Sequence, residues 1–258
     1  MKSKKTLFGF IVLTILFCSF SSIARDYYQI KIYTLESQAQ ESLVDEYLRD
    51  AYLPALHRAG IKTVGVFKSI KEDPAAGTKI FVFIPLKNLG QVESIEDKIL
   101  EDKEYLKSGQ AYLDAKHDNP PYVRIQSVLL RAFEVQPDFF VPNYETPKSD
   151  QIFELRSYQG PTEKLWRRKV HMFNEGGECA LFKKLQFNAI FYGEVLSGSD
   201  MPNLMYMTSF SDRKSNDEHW EAFRNHPDWK ALQDKPEYAN TVSHIDKWLC
   251  HPSAYSDI

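Results

Sequence analysis

Two short segments carry the side chains best suited to chemistry. In Phe153-Glu154-Leu155-Arg156-Ser157-Tyr158, and in Tyr28-Gln29-Ile30-Lys31-Ile32-Tyr33, the polar groups fall at every second position. Alternate residues of a strand share one face, so the first segment sets a carboxylate, a guanidinium and a phenol side by side. The second does the same with Gln29, Lys31 and Tyr33. A guanidinium anchors an anion and phenols donate hydrogen bonds, a set that suits an acidic or enolic small molecule. Glu154, His171 or a tyrosine can also serve as acid or base towards an activated carbon acid. The competing reading is structural: such residues also form plain solvated strand faces, with Glu154 neutralising Arg156.

The histidines offer less. His219 and His226 are seven apart and share a helix face, but Pro227 ends or bends that helix. Capping and packing account for them, and no metal site is expected. A lone histidine can still bind haem, since one axial ligand needs no partner motif, but no cofactor is required by any pattern. The chain shows no Walker loop, dinucleotide fingerprint, nucleophile elbow or His-Glu-x-x-His helix, which argues against ATP-driven and nicotinamide-dependent reactions.

The elements that must position these residues come in two copies. The strand at Tyr28–Tyr33 recurs at Phe153–Tyr158, about 125 positions later. Val64–Phe67 answers Ala189–Tyr192, Lys79–Leu86 answers Asn203–Phe210, Glu93–Tyr105 answers Glu218–Trp229, and Val123–Leu130 answers Ser243–Cys250. Each half therefore reads strand, helix, strand, strand, helix, strand. Leu43, Tyr47, Ala51 and Leu56 give the first helix an apolar stripe, and both copies of that helix are interrupted, by Pro54 and by Gly176-Gly177. Ser215 and Glu218 have the spacing of a capping box ahead of Trp220, Phe223 and Trp229.

The expected architecture is α+β: two tandem ferredoxin-like βαββαβ units, residues 25–135 and 151–258, with their antiparallel sheets packed face to face as an α/β barrel. The Pro-rich stretch 136–150, with Pro137, Pro142 and Pro147, is the linker. With Phe153 and Leu155 turned to the helices, Glu154, Arg156, Tyr158, Lys31 and Tyr33 would line a cavity between the sheets, with His171 nearby on its helix. A tandem pair can close its barrel alone, whereas a single unit must dimerise, so monomer and homodimer both stay open.

Lys2, Lys4 and Lys5 precede an apolar run from Leu7 to Phe20 and small residues up to Ala24. At about 14 residues this run falls short of the roughly 20 that span a bilayer, and residues 1–24 read as a cleaved secretory signal peptide with no stable membrane span afterwards. Cys18 also admits lipidation after export. Export places the chain in a periplasmic or extracellular setting. Loss of three lysines takes the formal net charge from −3 to about −6, which argues against nucleic acid as a partner. Only Cys179 and Cys250 remain, free or bridged, with no metal spacing.

Taken together, the strand Phe153–Tyr158, its repeat near the start of the mature chain, the paired helices and the closing segment from His219 to Trp229 resemble the NIPSNAP family of the dimeric α/β-barrel superfamily. The resemblance covers nearly the whole mature chain and is clearest from Gln151 to Leu249. It implies ferredoxin-like units with facing sheets. It implies no settled activity, since superfamily relatives include cofactor-free monooxygenases, isomerases and haem proteins. The export signal departs from the mitochondrial members, so roles tied to that organelle do not carry over. Three functions follow as expectations: small-molecule binding in the cavity, a cofactor-independent monooxygenase or isomerase, and a protein-interaction module.

Overall fold

The computed structural model describes residues 24–258, so residues 1–23 of the expected leader, Cys18 among them, lie outside the described residues. Strand β1 (Tyr27–Thr34) leads into α1 (Gln38–Tyr47), a π-helical turn over Leu48–Tyr52, and α2 (Leu53–Ala59). Strands β2 (Gly65–Ser69) and β3 (Lys79–Leu86) follow, then α3 (Gly90–Leu100), α4 (Lys103–Ser108), α5 (Gln110–Leu113) and β4 (Arg124–Ala132). The second half repeats the order with β5 (Ile152–Gln159), α6 (Glu163–Phe173), α7 (Glu178–Lys184), β6 (Ala189–Ser197), β7 (Asn203–Phe210), α8 (Arg213–Asn225), α9 (Pro227–Gln233) and β8 (His244–Pro252).

All eight strands close into one antiparallel barrel in the order β1-β3-β2-β8-β5-β7-β6-β4. Within each half the order is fourth, first, third, second strand, so the halves are alike in topology as well as in sequence. Two seams join them: β2 pairs with β8 at Phe67–Pro252, and β4 pairs with β6 at Leu130–Val195. Among the described residues no helix is long and apolar enough to cross a membrane.

The helix interruptions have local causes. Pro54 has no N–H to return to the carbonyl of Asp50, and the chain widens into the π-helical turn just before it. In the second half Gly177 takes a left-handed conformation at φ 97°, which separates α6 from α7. Helix α8 starts earlier than its sequence suggests: Asp212 is the N-cap and accepts from the Ser215 N–H at 2.7 Å, so Ser215 lies inside the first turn.

The face assignment of the strands is the main correction. Phe153 and Leu155 point into the barrel, where they pack with Tyr28, Ile30, Phe67, Phe83, Phe191 and Met205. Glu154, Arg156 and Tyr158, and likewise Lys31 and Tyr33, turn outward under the helices. The space expected between the sheets is mostly a packed apolar core, where Phe83 stacks on Phe191 with centroids 5.0 Å apart, and it opens at one end into a pocket of about 210 Å³ lined by Gln126, Ser157, Asn203, Asp246 and Trp248. An eight-stranded barrel is narrow enough to be filled by side chains, and its few inward polar groups, such as Ser157, which donates to Asn203, sit at one end. The more apolar parity therefore goes inside. The helices cover the other parity, which forms a second core in each half, around Tyr33, Tyr47 and Tyr52 in the first and around Tyr206, Phe182 and Trp220 in the second.

Candidate functional site

Strand β5 presents Glu154 and Arg156 to helix α8. The Glu154 carboxylate is only 1% exposed and accepts from Asn216 Nδ2 at 2.8 Å, from Trp220 Nε1 and from Arg156 Nε at 2.7 Å. The Arg156 guanidinium lies 3.8 Å from the Trp220 ring centroid and donates through Nη1 to the Tyr158 hydroxyl, which also accepts from Tyr206. Every partner in this network is internal. Its arrangement ties α8 to the sheet; the carboxylate neutralises the guanidinium, and neither is left to bind a ligand.

A second buried pair lies beside it: Lys169 of α6 donates to Glu178 of α7 at 2.8 Å. Burial pushes the Glu178 carboxyl up, and Lys169 acts against that shift.

The six residues predicted from sequence thus occupy three places. Glu154, Arg156 and Tyr158 form the network under α8. Lys31 and Tyr33 lie under the helices of the first half, and the Gln29 amide donates to Ser127 at 2.8 Å. His171 is apart from both, exposed on α6 with Nδ1 2.9 Å from the Tyr238 hydroxyl. It borders a charged groove of about 210 Å³ that includes Arg25, Arg131 and Glu194. Those charges are paired with one another, and the groove is too small and too polar to fit a haem around His171. Of the other histidines, His219 holds the Ser215 carbonyl at 2.7 Å and His226 caps α9 by accepting from the Asp228 N–H.

A roomier opening than the groove beside His171 lies elsewhere. A cleft of about 560 Å³ lies between α7, the start of β6 and the linker segment 135–140. Phe182, Phe187 and Tyr192 wall it on one side and Phe139 and Phe140 on the other, with Lys183 and Asp138 among its polar groups. The linker is fixed over it. Gln136 Nε2 donates to the carbonyls of Ala189 (3.1 Å) and Ile190 (3.2 Å), and the Phe140 N–H donates to Ile190 at 2.8 Å. Asn188 donates to the Tyr144 hydroxyl at 3.0 Å, which holds the next turn of the linker. Cys179 also lines the cleft, but burial pushes its thiol well up, so it stays protonated and is a wall rather than a nucleophile. It is free, as is Cys250, which sits in the barrel lumen. Sequence reasoning missed this site because it treated 136–150 as a spacer. The adjacent aromatics Phe139 and Phe140 in that Pro-rich stretch were the available signal.

Comparison with known proteins agrees with the second half of this description. Residues 153–257 match the NIPSNAP family model. The second half of the chain thus carries a NIPSNAP match. The matched segment supplies β5 to β8, the Glu154 network and most of the cleft, while the linker that roofs the cleft lies outside the matched residues. Over nearly the whole chain the fold is similar to a "putative monooxygenase" from Lactobacillus acidophilus, at 11% identity and TM-score 0.54, covering 88% of this chain and 94% of that one. It is also similar to an anthrone oxidase-like protein at 10% identity and TM-score 0.53, covering 89% and 92%. A NIPSNAP family protein from Agrobacterium tumefaciens aligns at 18% identity over 41% of this chain and 96% of its own, with TM-score 0.36. No curated protein matches the sequence.

Proposed function

We propose that this protein is an exported tandem of two ferredoxin-like units that binds a small aromatic molecule in the cleft between its linker and α7. The observation that carries this reading is the cleft itself: about 560 Å³ with five aromatic side chains around it, against about 210 Å³ at the mouth of the barrel lumen. Ligand sites are commonly concave, largely apolar and furnished with a few polar groups, and volumes of roughly 300–1,000 Å³ hold drug-sized molecules. Phenylalanine rings stack on a flat ligand, and Lys183 and the amides of Gln186 and Asn188 at the edge select its polar substituents.

Ala180 lies exposed on α7 within the cleft, so Ala180→Trp fills the space without disturbing a buried contact. Fluorescence titration with anilinonaphthalene sulfonate is expected to show saturable binding to the native chain and a loss on the order of tenfold, about 1.4 kcal/mol, in the variant. Equal affinity in both proteins would remove the cleft from consideration.

A cofactor-independent monooxygenase is the second reading, and the whole-length likeness to the oxidase-like structures is what supports it. Its test is oxidation of anthrone or a quinol by metal-free protein. Turnover abolished by Ala180→Trp would place that chemistry in the cleft and raise this reading above simple binding.

A further inference from the structure

We propose that the open mouth of the barrel lumen is a second site, separate from the cleft, which takes a small polyhydroxylated molecule of monosaccharide size. Most of the lumen is lined by apolar side chains, but at this end the pattern changes. The two halves of the chain contribute equivalent strand positions to the mouth: Ile32 and Ser157, Lys79 and Asn203, Gln126 and Asp246. Of these only Ile32 is apolar. Across the strands Ser157 stands opposite Asp246, and Gln126 opposite Ile32.

Asn203 is the decisive group. It is only 3% exposed, and its Oδ1 accepts from the Ser157 hydroxyl at 3.1 Å. Its Nδ2 has no hydrogen-bond partner among the described residues, which leaves it to the pocket that Asn203 lines. Turning the amide over does not change this, since the Ser157 hydroxyl can serve either end and the other end stays free. A buried amide with an unmet hydrogen bond is costly, and a hydroxyl entering the pocket meets it. The Asp246 carboxylate is already oriented: it accepts from Gln159 Nε2 at 3.0 Å and keeps lone pairs to spare.

The lining names the ligand class. Lys79 and Asn203 donate, Asp246 accepts, and Gln126 does both, so the rim suits groups that both donate and accept, as hydroxyls do. Asp246 and Asp200 oppose an anion, and Lys79 opposes a cation. Trp248, whose ring packs 5.2 Å from Phe81, supplies one apolar wall, and the negative face of an indole attracts the C–H face of a sugar ring. At about 210 Å³ the pocket is smaller than those that hold drug-sized molecules and has the scale of a single sugar ring.

The probes are glucose, galactose, mannose and N-acetylglucosamine, each followed by saturation-transfer NMR on the Ala180→Trp protein, so that the cleft does not contribute. At least one is expected to bind at about millimolar concentration. Gln126→Trp sets a large ring across the mouth from an exposed strand position, and it is expected to abolish the signal while the melting temperature holds. Asn203→Asp keeps an acceptor for Ser157 but removes the free donor, and is expected to weaken binding by about tenfold. No sugar bound at about 50 mM, binding that survives Gln126→Trp, or an affinity that Asn203→Asp leaves unchanged would each overturn the assignment.

Discussion

Replacing Glu154 by leucine removes the acceptor of three buried donors at once. Arg156 loses its counter-charge, and the Asn216 amide and the Trp220 indole N–H lose their partner. Breaking one side of a buried ion pair costs about 3–5 kcal/mol, and each orphaned neutral donor adds roughly 1–3 kcal/mol, but these contributions overlap because the groups relax together. Arg156 retains some solvent contact, with its side chain 16% exposed, which places the expected total near the lower end, at about 4 kcal/mol. For a chain of this size each kcal/mol shifts the melting temperature by roughly 2–4 °C, so Glu154→Leu should melt about 8–16 °C lower by calorimetry or circular dichroism. Arg156→Leu added to Glu154→Leu should recover a large part of that loss, since an apolar pair leaves no bare charge behind. A single-variant cost under about 1 kcal/mol, or a double variant as weak as the sum of the singles, would refute the reading of this network as a tie between β5 and α8.

Because both seams of the barrel close within one chain, no strand edge is left for a partner among the described residues, and light scattering after size exclusion should report a monomer at micromolar concentration; a stable dimer would show that another surface associates. Burial raises the pKa of both Cys179 and Cys250, so neither thiol should react with a disulfide reagent in the native state. After unfolding, two thiols should titrate if the leader has been removed and three if Cys18 is retained; rapid native labelling would contradict the packing described. Lys31 carries a pH signature. Its folded pKa is depressed from 10.5, so the folded state holds this proton more weakly than the unfolded chain. The stability it contributes is complete above about pH 10.5 and declines as pH falls through the folded value. The melting temperature of Lys31→Met relative to the native chain should therefore be higher near pH 7 and converge with it towards pH 10.5; a constant difference would show that Lys31 is not strained by burial.

The alternation of Phe153–Tyr158 and its repeat made the strands, their order and the duplication readable, because period-two patterning and a fixed repeat are local properties. The facing of those strands was not readable by the same means. In a closed barrel with helices outside, both parities of a strand are buried, and Glu154 at 1% exposure looks in sequence like a residue of an open face. What settles it is the presence on α8 of Asn216 and Trp220, which supply the carboxylate with partners from a distant part of the chain. The start of α8 was ambiguous for a simpler reason: Asp212 and Ser215 are both competent caps, and the structure uses the first. The cleft was hidden because it depends on the linker folding back onto β6 through Gln136 and Phe140, a long-range docking that leaves no periodic trace.

The most direct test of small-molecule binding in the cleft is native mass spectrometry of the chain purified from its own source, beside Ala180→Trp prepared in the same way. The expected result is a discrete bound small molecule on the native chain, displaced by anilinonaphthalene sulfonate and missing from the variant. A bare mass for both proteins that no aromatic probe alters, or the same adduct on both, would contradict it.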